Sequence, residues 1–282
     1  MTAAGAIPPE APAPRADPIT DGSQPPPPVP SIGVQLLVAS LLSVVALFVV
    51  FSPWPLEAKL HSIGRACCAQ IPSHTITIAG QPMPIDARNS GIYLGVFLVI
   101  AILWLTGRQR AAVMAPPQIR TLLFVFTLTM IVDGFNSLGH TEHLRTFYPE
   151  SNTIRTITGA FAGMSLTMLV VPVFNRLVWR QPEPIAIVED FMELTGYLVA
   201  VVLVILSLLQ APASLYWPLS TLSIAGLLIT LTMVNTCTLL VSLRRERSVG
   251  SERGLFVPAL AGLTITCFEI LAISLWRSTG HG

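Results

Sequence analysis

The chain has 282 residues, 52% of them hydrophobic and only 11% charged, with a formal net charge of +1 and a mean hydropathy of +0.68. Soluble domains carry roughly 25% charged residues. The composition therefore excludes a disordered chain, a nucleic-acid-binding domain and a disulfide-rich secreted module, and leaves a multi-pass membrane protein.

The first 31 residues hold ten of the chain's 24 prolines, including the run Pro25-Pro26-Pro27-Pro28. This predicts an extended, disordered tail. It does not read as a signal peptide, which would open with positive charge and move straight into a short apolar core. From residue 32 onward the chain reads as one transmembrane helical domain. A hydrocarbon core roughly 30 Å thick needs about 20 apolar residues, and seven stretches answer to that: 33–52, 91–106, 120–138, 153–174, 194–210, 216–243 and 254–276. Lipid forces each span to satisfy its own backbone hydrogen bonds, so these predict an all-α, polytopic bundle.

Between the first two spans, residues 53–90 predict a structured loop. Leu56, Leu60, Ile63 and Cys67 fall on one helical face, as in a short interfacial helix. Thr75 to Ile78 then alternates like a strand, with a turn at Ala79-Gly80. Later in the chain, Pro172 and Pro258 read as kinks, and Gly159 and Gly163 as a close helix contact. Asn235 reads as a helix-packing residue, as do Cys237 and Cys267.

Of the sixteen Arg and Lys residues, ten fall on the side of the N-terminal tail and six on the other. Positive charge is retained in the cytoplasm, so the N-terminus is expected inside and the C-terminus outside. The loop 53–90 then faces outward.

The stretch Cys68-Ala69-Gln70-Ile71-Pro72, followed by Asp86-Ala87-Arg88-Asn89-Ser90-Gly91-Ile92-Tyr93, resembles the signature of a prokaryotic membrane-protein family, domain of unknown function 2085. That signature reads C-H-Q-x-P and then C-x-R-C-x-G-I-Y. Asp133-Gly134, and Asn152, Arg155, Thr158 and Gly159 in the pattern N-x-x-R-x-x-T-G, extend the resemblance, which runs from about Leu56 to Gly163. It implies a multi-pass protein of a prokaryotic cell membrane. Of the family's one His and three Cys, this chain keeps only Cys68, with Ala69, Asp86 and Asn89 in the other places. Gln70, Arg88, Tyr93, Asn152 and Arg155 remain as candidate site residues.

Ionisable groups at membrane depth are the sharpest functional signal, because hydrocarbon penalises an uncompensated charge. Asp133, in the outer turns of the third span, and Arg155, opening the fourth, are expected to pair. Glu269, about 10 Å below the outer end of the last span, is a third candidate. His140 and His143, with Cys68 and Asp86, are candidate metal ligands by residue type and spacing. No cofactor is expected, and no nucleotide, hydrolase or metalloprotease motif occurs. The expected contacts are the lipid bilayer and a membrane-protein partner, not nucleic acid. The leading reading is a non-catalytic structural or binding component with a polar outer-face site built from loop 53–90 and the ends of the second to fourth spans. The alternative is a membrane-embedded enzyme or carrier, metal- or thiol-dependent, using Asp133, Arg155 and Glu269.

Overall fold

The computed structural model describes residues 53–142 and 145–278. The proline-rich tail, the expected first span at 33–52 and His143 lie outside the described residues. The described chain is helical apart from two small pairs of strands. Helix α1 (Leu56–Cys67) is followed by α2 (Ala87–Leu105), α3 (Pro117–Thr141), α4 (Asn152–Val178), α5 (Phe191–Leu209), α6 (Tyr216–Ser242) and α7 (Glu252–Ser278). Among the described residues, the six helices α2 to α7 are long and apolar enough to cross a membrane. The 19 residues of α2 and of α5 span about 28 Å at 1.5 Å each, matching the hydrocarbon core.

The successive helices alternate in direction, so their connections gather at two faces. One face, here the aspartate face, carries residues 53–86, 145–151 and 210–215. The other, the arginine face, carries residues 106–116, 179–190 and 243–251.

On the aspartate face, α1 packs Leu60 and Ile63 against Ile85, Ile224 and Leu227. Leu56, expected on the same buried stripe, is exposed, because it stands in the first turn, before the helix reaches its neighbours. Strands β1 (Thr77–Ile78) and β2 (Gln81–Pro82) then pair as an antiparallel hairpin. Ala79 and Gly80 both take positive φ, 50° and 83°, the combination a two-residue hairpin turn requires. Asp86 caps α2, its Oδ1 accepting from the Asn89 N–H at 2.8 Å.

Helix α2 is the centre of the bundle, held by α4 on one side and α6 on another. The contact with α4 is closed by glycine. A Cβ on Gly159 would lie 2.3 Å from the Arg88 carbonyl oxygen, and one on Gly163 would lie 2.0 Å from that of Ile92. Backbone therefore lies against backbone, the small-residue packing that replaces the hydrophobic effect between helices in lipid.

The arginine face is knitted by short main-chain links. Strand β3 (Ala111–Val113) pairs in parallel with β4 (Glu183–Ala186). Asn175 of α4 donates to the carbonyls of Gln109 and Ala111 at 3.1 and 2.7 Å. Arg108 meets Glu189 at 3.0 Å and Glu193 at 2.8 Å. Helix α7 stands apart from this core and packs on α6 and α1.

Candidate functional site at the aspartate face

Asp133 lies one helical turn before Ser137 on α3, and both face the N-terminal turns of α2 and α4. The carboxylate is 3% exposed. Arg88, in the first turn of α2, approaches it with two nitrogens, Nη2 at 2.6 Å and Nε at 3.1 Å from Oδ2. The Tyr148 hydroxyl donates to Oδ1 at 2.8 Å, and the Thr158 hydroxyl to Oδ2 at 3.3 Å. Three chain segments thus converge on the carboxylate that α3 carries.

The expected partner of Asp133 was Arg155, and the structure corrects this. Arg155 pairs with Glu150, and its Nη1 donates to the Asn152 side-chain oxygen at 3.1 Å. The physical reason is position. Glu150 lies in the loop just ahead of α4, within reach of a residue in that helix's first turn, while the glycine contact between α2 and α4 brings Arg88 over Asp133. The two arginines meet instead at Ser137, whose Oγ accepts from Arg88 Nη2 at 3.0 Å and from Arg155 Nη2 at 3.0 Å.

The network extends into the first loop. Asn152 donates to the Ser73 carbonyl at 3.1 Å, and His74 Nε2 lies 3.5 Å from Glu150. Gln70, at φ 51°, donates to the carbonyls of His61 and Pro84 at 2.9 and 2.7 Å, which clamps the end of α1 to the entry of α2. Tyr93 meets Cys67 across this joint, with Oη 3.2 Å from Sγ.

The metal candidates are placed differently. Asp86 spends both carboxylate oxygens on Asn89, whose side-chain nitrogen lies 3.0 Å from Oδ2. Two positions that hold cysteine in the family signature therefore form a helix cap here. Cys68 is buried beside them and receives backbone hydrogen bonds from Asp86 and Gln70. His140 Nε2 lies 2.9 Å from the Tyr148 carbonyl. Among the described residues, no three His, Cys, Asp or Glu side chains gather as a metal site would need.

Burial raises the Cys67 and Cys68 thiols above their ordinary range, Tyr93 and the nearby backbone only partly opposing it. The thiolate is the reactive form, so both cysteines are poor nucleophiles. Tyr148 is pushed up to about 12, first by loss of solvent and then by its hydrogen bond to Asp133. It stays a donor.

Glu269 is not part of this site. It lies on α7, where Asn235 of α6 donates to its Oε2 at 2.7 Å and to the Thr266 hydroxyl at 3.0 Å. Asp133 and Arg155 are on α3 and α4, whereas α7 makes its main contacts with α6 and α1 among the described residues. Sequence reasoning missed Ser137, Tyr148 and Glu150 as site residues. The i, i+4 spacing of Asp133 and Ser137 on one helical face was the available signal for the first.

A family model described as a predicted membrane protein, domain of unknown function 2085, matches residues 68–169. Over that segment the chain resembles this family. The match takes in Arg88, Asp133, Ser137, Tyr148, Glu150, Asn152 and Arg155, the whole polar network. An uncharacterized protein of Methanocaldococcus jannaschii is 28% identical over 122 residues, which cover 43% of this chain and 72% of that relative. No solved structure matches.

Proposed function

We propose that this is a multi-pass component of a prokaryotic cell membrane that works by binding and by holding structure, not by catalysis. Its arginine face lies in the cytoplasm and its aspartate face outside. The observation that carries this reading is the closure of the network around Asp133 and Arg155. Each of their charged groups is answered by fixed donors or acceptors from the protein itself. A catalytic constellation needs a nucleophile or base directed at a substrate position. Here the side chains are directed at one another, and the cysteines are held as thiols.

In this role the network fastens Ser73, His74 and the 145–151 segment onto the ends of α2 to α4, making a rigid outer platform on which a membrane-protein partner or small ligand is received. The orientation rests on the positive-inside rule.

Elemental analysis and thiol titration of detergent-purified protein test the non-catalytic reading. The expected result is no stoichiometric metal and no thiol that reacts faster than free cysteine at neutral pH. Stoichiometric metal, or a fast thiol at Cys67 or Cys68, overturns it.

A further inference from the structure

Because α7 packs on α6 and α1 and stands off from α2 and α4, a cavity of about 400 Å³ opens between these helices. It lies in the half of the bundle nearest the arginine face. Its wall along α7 runs from Leu255 to Leu263, a rise of ~12 Å. That is close to one leaflet of a hydrocarbon core roughly 30 Å thick. Deep in the bundle the lining is apolar, with Val171, Leu228 and Leu263 among its residues. At the arginine face it becomes polar, with Gln109 and Asn175. The Gln109 Oε1 atom is buried and has no hydrogen-bond partner among the described residues. A buried acceptor without a donor is costly.

A basic loop leads into the wall of this cavity, Arg253 standing two residues before Leu255. The loop from Leu243 to Arg253 carries Arg244, Arg245, Arg247 and Arg253 against Glu246 and Glu252. Arg244, Arg247 and Arg253 are exposed and make no side-chain ion pair or hydrogen bond among the described residues. Arg244 and Arg247 hold left-handed backbone at φ 53° and 55°, which side-chain-bearing residues seldom adopt. The loop is fixed to the end of α4, with the Arg247 N–H donating to the Leu177 carbonyl at 2.6 Å and the Val249 N–H to that of Val178 at 3.2 Å. Phe174 and Asn175, one turn earlier on the same helix, line the cavity.

We propose that this is a binding site for an anionic glycerophospholipid. One acyl chain fills the apolar part of the cavity. The phosphate sits among Arg244, Arg247 and Arg253, and a headgroup or glycerol hydroxyl donates to Gln109 Oε1. An apolar cavity about one leaflet deep, with exposed arginines in the loop that leads into its wall, fits such a molecule in both its parts, since basic sites between membrane helices attract anionic headgroups. This site is separate from the aspartate face, and its fate does not depend on the function proposed there.

Native mass spectrometry of the full-length, delipidated protein tests it, with dioleoyl phosphatidylglycerol and dioleoyl phosphatidylcholine added in equal amounts. The expected result is one phosphatidylglycerol retained in preference to phosphatidylcholine. In an Arg244→Gln/Arg253→Gln variant, which changes only exposed side chains, that preference should fall by about tenfold or more. Ala259→Phe, which fills the cavity, should lose the bound lipid while keeping its thermal transition. If Ala259→Phe does not fold, the arginine variant alone decides. Equal retention of both lipids by the native protein overturns the proposal, and so does an unchanged preference in the arginine variant. So does quantitative cross-linking of a cysteine at Ala259 to one introduced within residues 33–52, because the cavity would then belong to the chain itself.

Discussion

At the scale of single residues, the aspartate face turns on which cation answers Asp133. Truncating one partner of a buried, hydrogen-bonded pair costs about 3–5 kcal/mol, because the other charge is left uncompensated. Arg88 touches the carboxylate with two nitrogens, while Arg155 touches Glu150 and meets Arg88 at the Ser137 hydroxyl, which accepts from both. A double-mutant cycle of Arg88→Gln with Asp133→Asn, followed by unfolding in detergent, should therefore show coupling on the order of 0.5–3 kcal/mol. The cycle of Arg155→Gln with Asp133→Asn should show clearly less; equal or greater coupling there would refute the assignment. Tyr148 supplies a second prediction. Its hydroxyl stays protonated up to about 12 in the folded protein, against about 10 when unfolded. The folded state thus binds the extra proton between those values, so this group's contribution is intact below pH 10 and is lost as pH rises through 12. In Tyr148→Phe the ultraviolet titration near pH 12 should lose the amplitude of one tyrosine; an amplitude unchanged by the substitution would show that Asp133 does not hold this hydroxyl. Asp133 and Arg155 were legible in the sequence as ionisable groups at membrane ends. Their partners were not, because which guanidinium reaches which carboxylate depends on how closely two helices approach.

At the scale of elements, that approach is set by glycine. Gly163 lies against the Ile92 carbonyl with no room for a Cβ, whereas a Cβ on Gly134 in α3 would meet nothing within 4 Å. The two sites predict opposite responses to the same change. Gly163→Ala should force α2 and α4 apart and destabilise by about 1–3 kcal/mol, the usual cost of overpacking. Gly134→Ala should leave stability unchanged or raise it by about 0.5–1 kcal/mol through helix propensity. Thermal unfolding in one detergent compares them, and a neutral Gly163→Ala would rule out the tight α2–α4 contact. The Gly159 and Gly163 pair was readable from its four-residue spacing, as was the Ala79-Gly80 turn from its residue types. The partner surface on α2 was not, since a small-residue stripe does not say which neighbour it faces. The β3–β4 pair was equally invisible. Three or four residues joined across about 70 positions of sequence leave no periodic pattern to read.

At the scale of the whole molecule, hydropathy alone gave the six described spans, because each must be about 20 apolar residues long whatever its packing. Charge gave the proposed orientation, and the structure sharpens how to test it. Cys68 is 5% exposed, so it is a poor reporter for a thiol reagent. Phe147 is 85% exposed on the aspartate face, and Gly250 is exposed on the arginine face with open space around its Cα. The two positions lie at opposite ends of the bundle. With the native cysteines replaced by serine, Phe147→Cys should react with a membrane-impermeant maleimide in intact bacterial cells. Gly250→Cys should react only after the membrane is opened. The rule behind this expectation counts arginine and lysine in short loops near span ends. Arg244, Arg245, Arg247 and Arg253 all lie in or beside one loop of that kind, and they decide most of the ten-to-six excess over the other face. Labelling of Gly250→Cys in intact cells, with Phe147→Cys silent until lysis, would reverse the orientation. It would place the aspartate network in the cytoplasm and the basic loop against the outer leaflet.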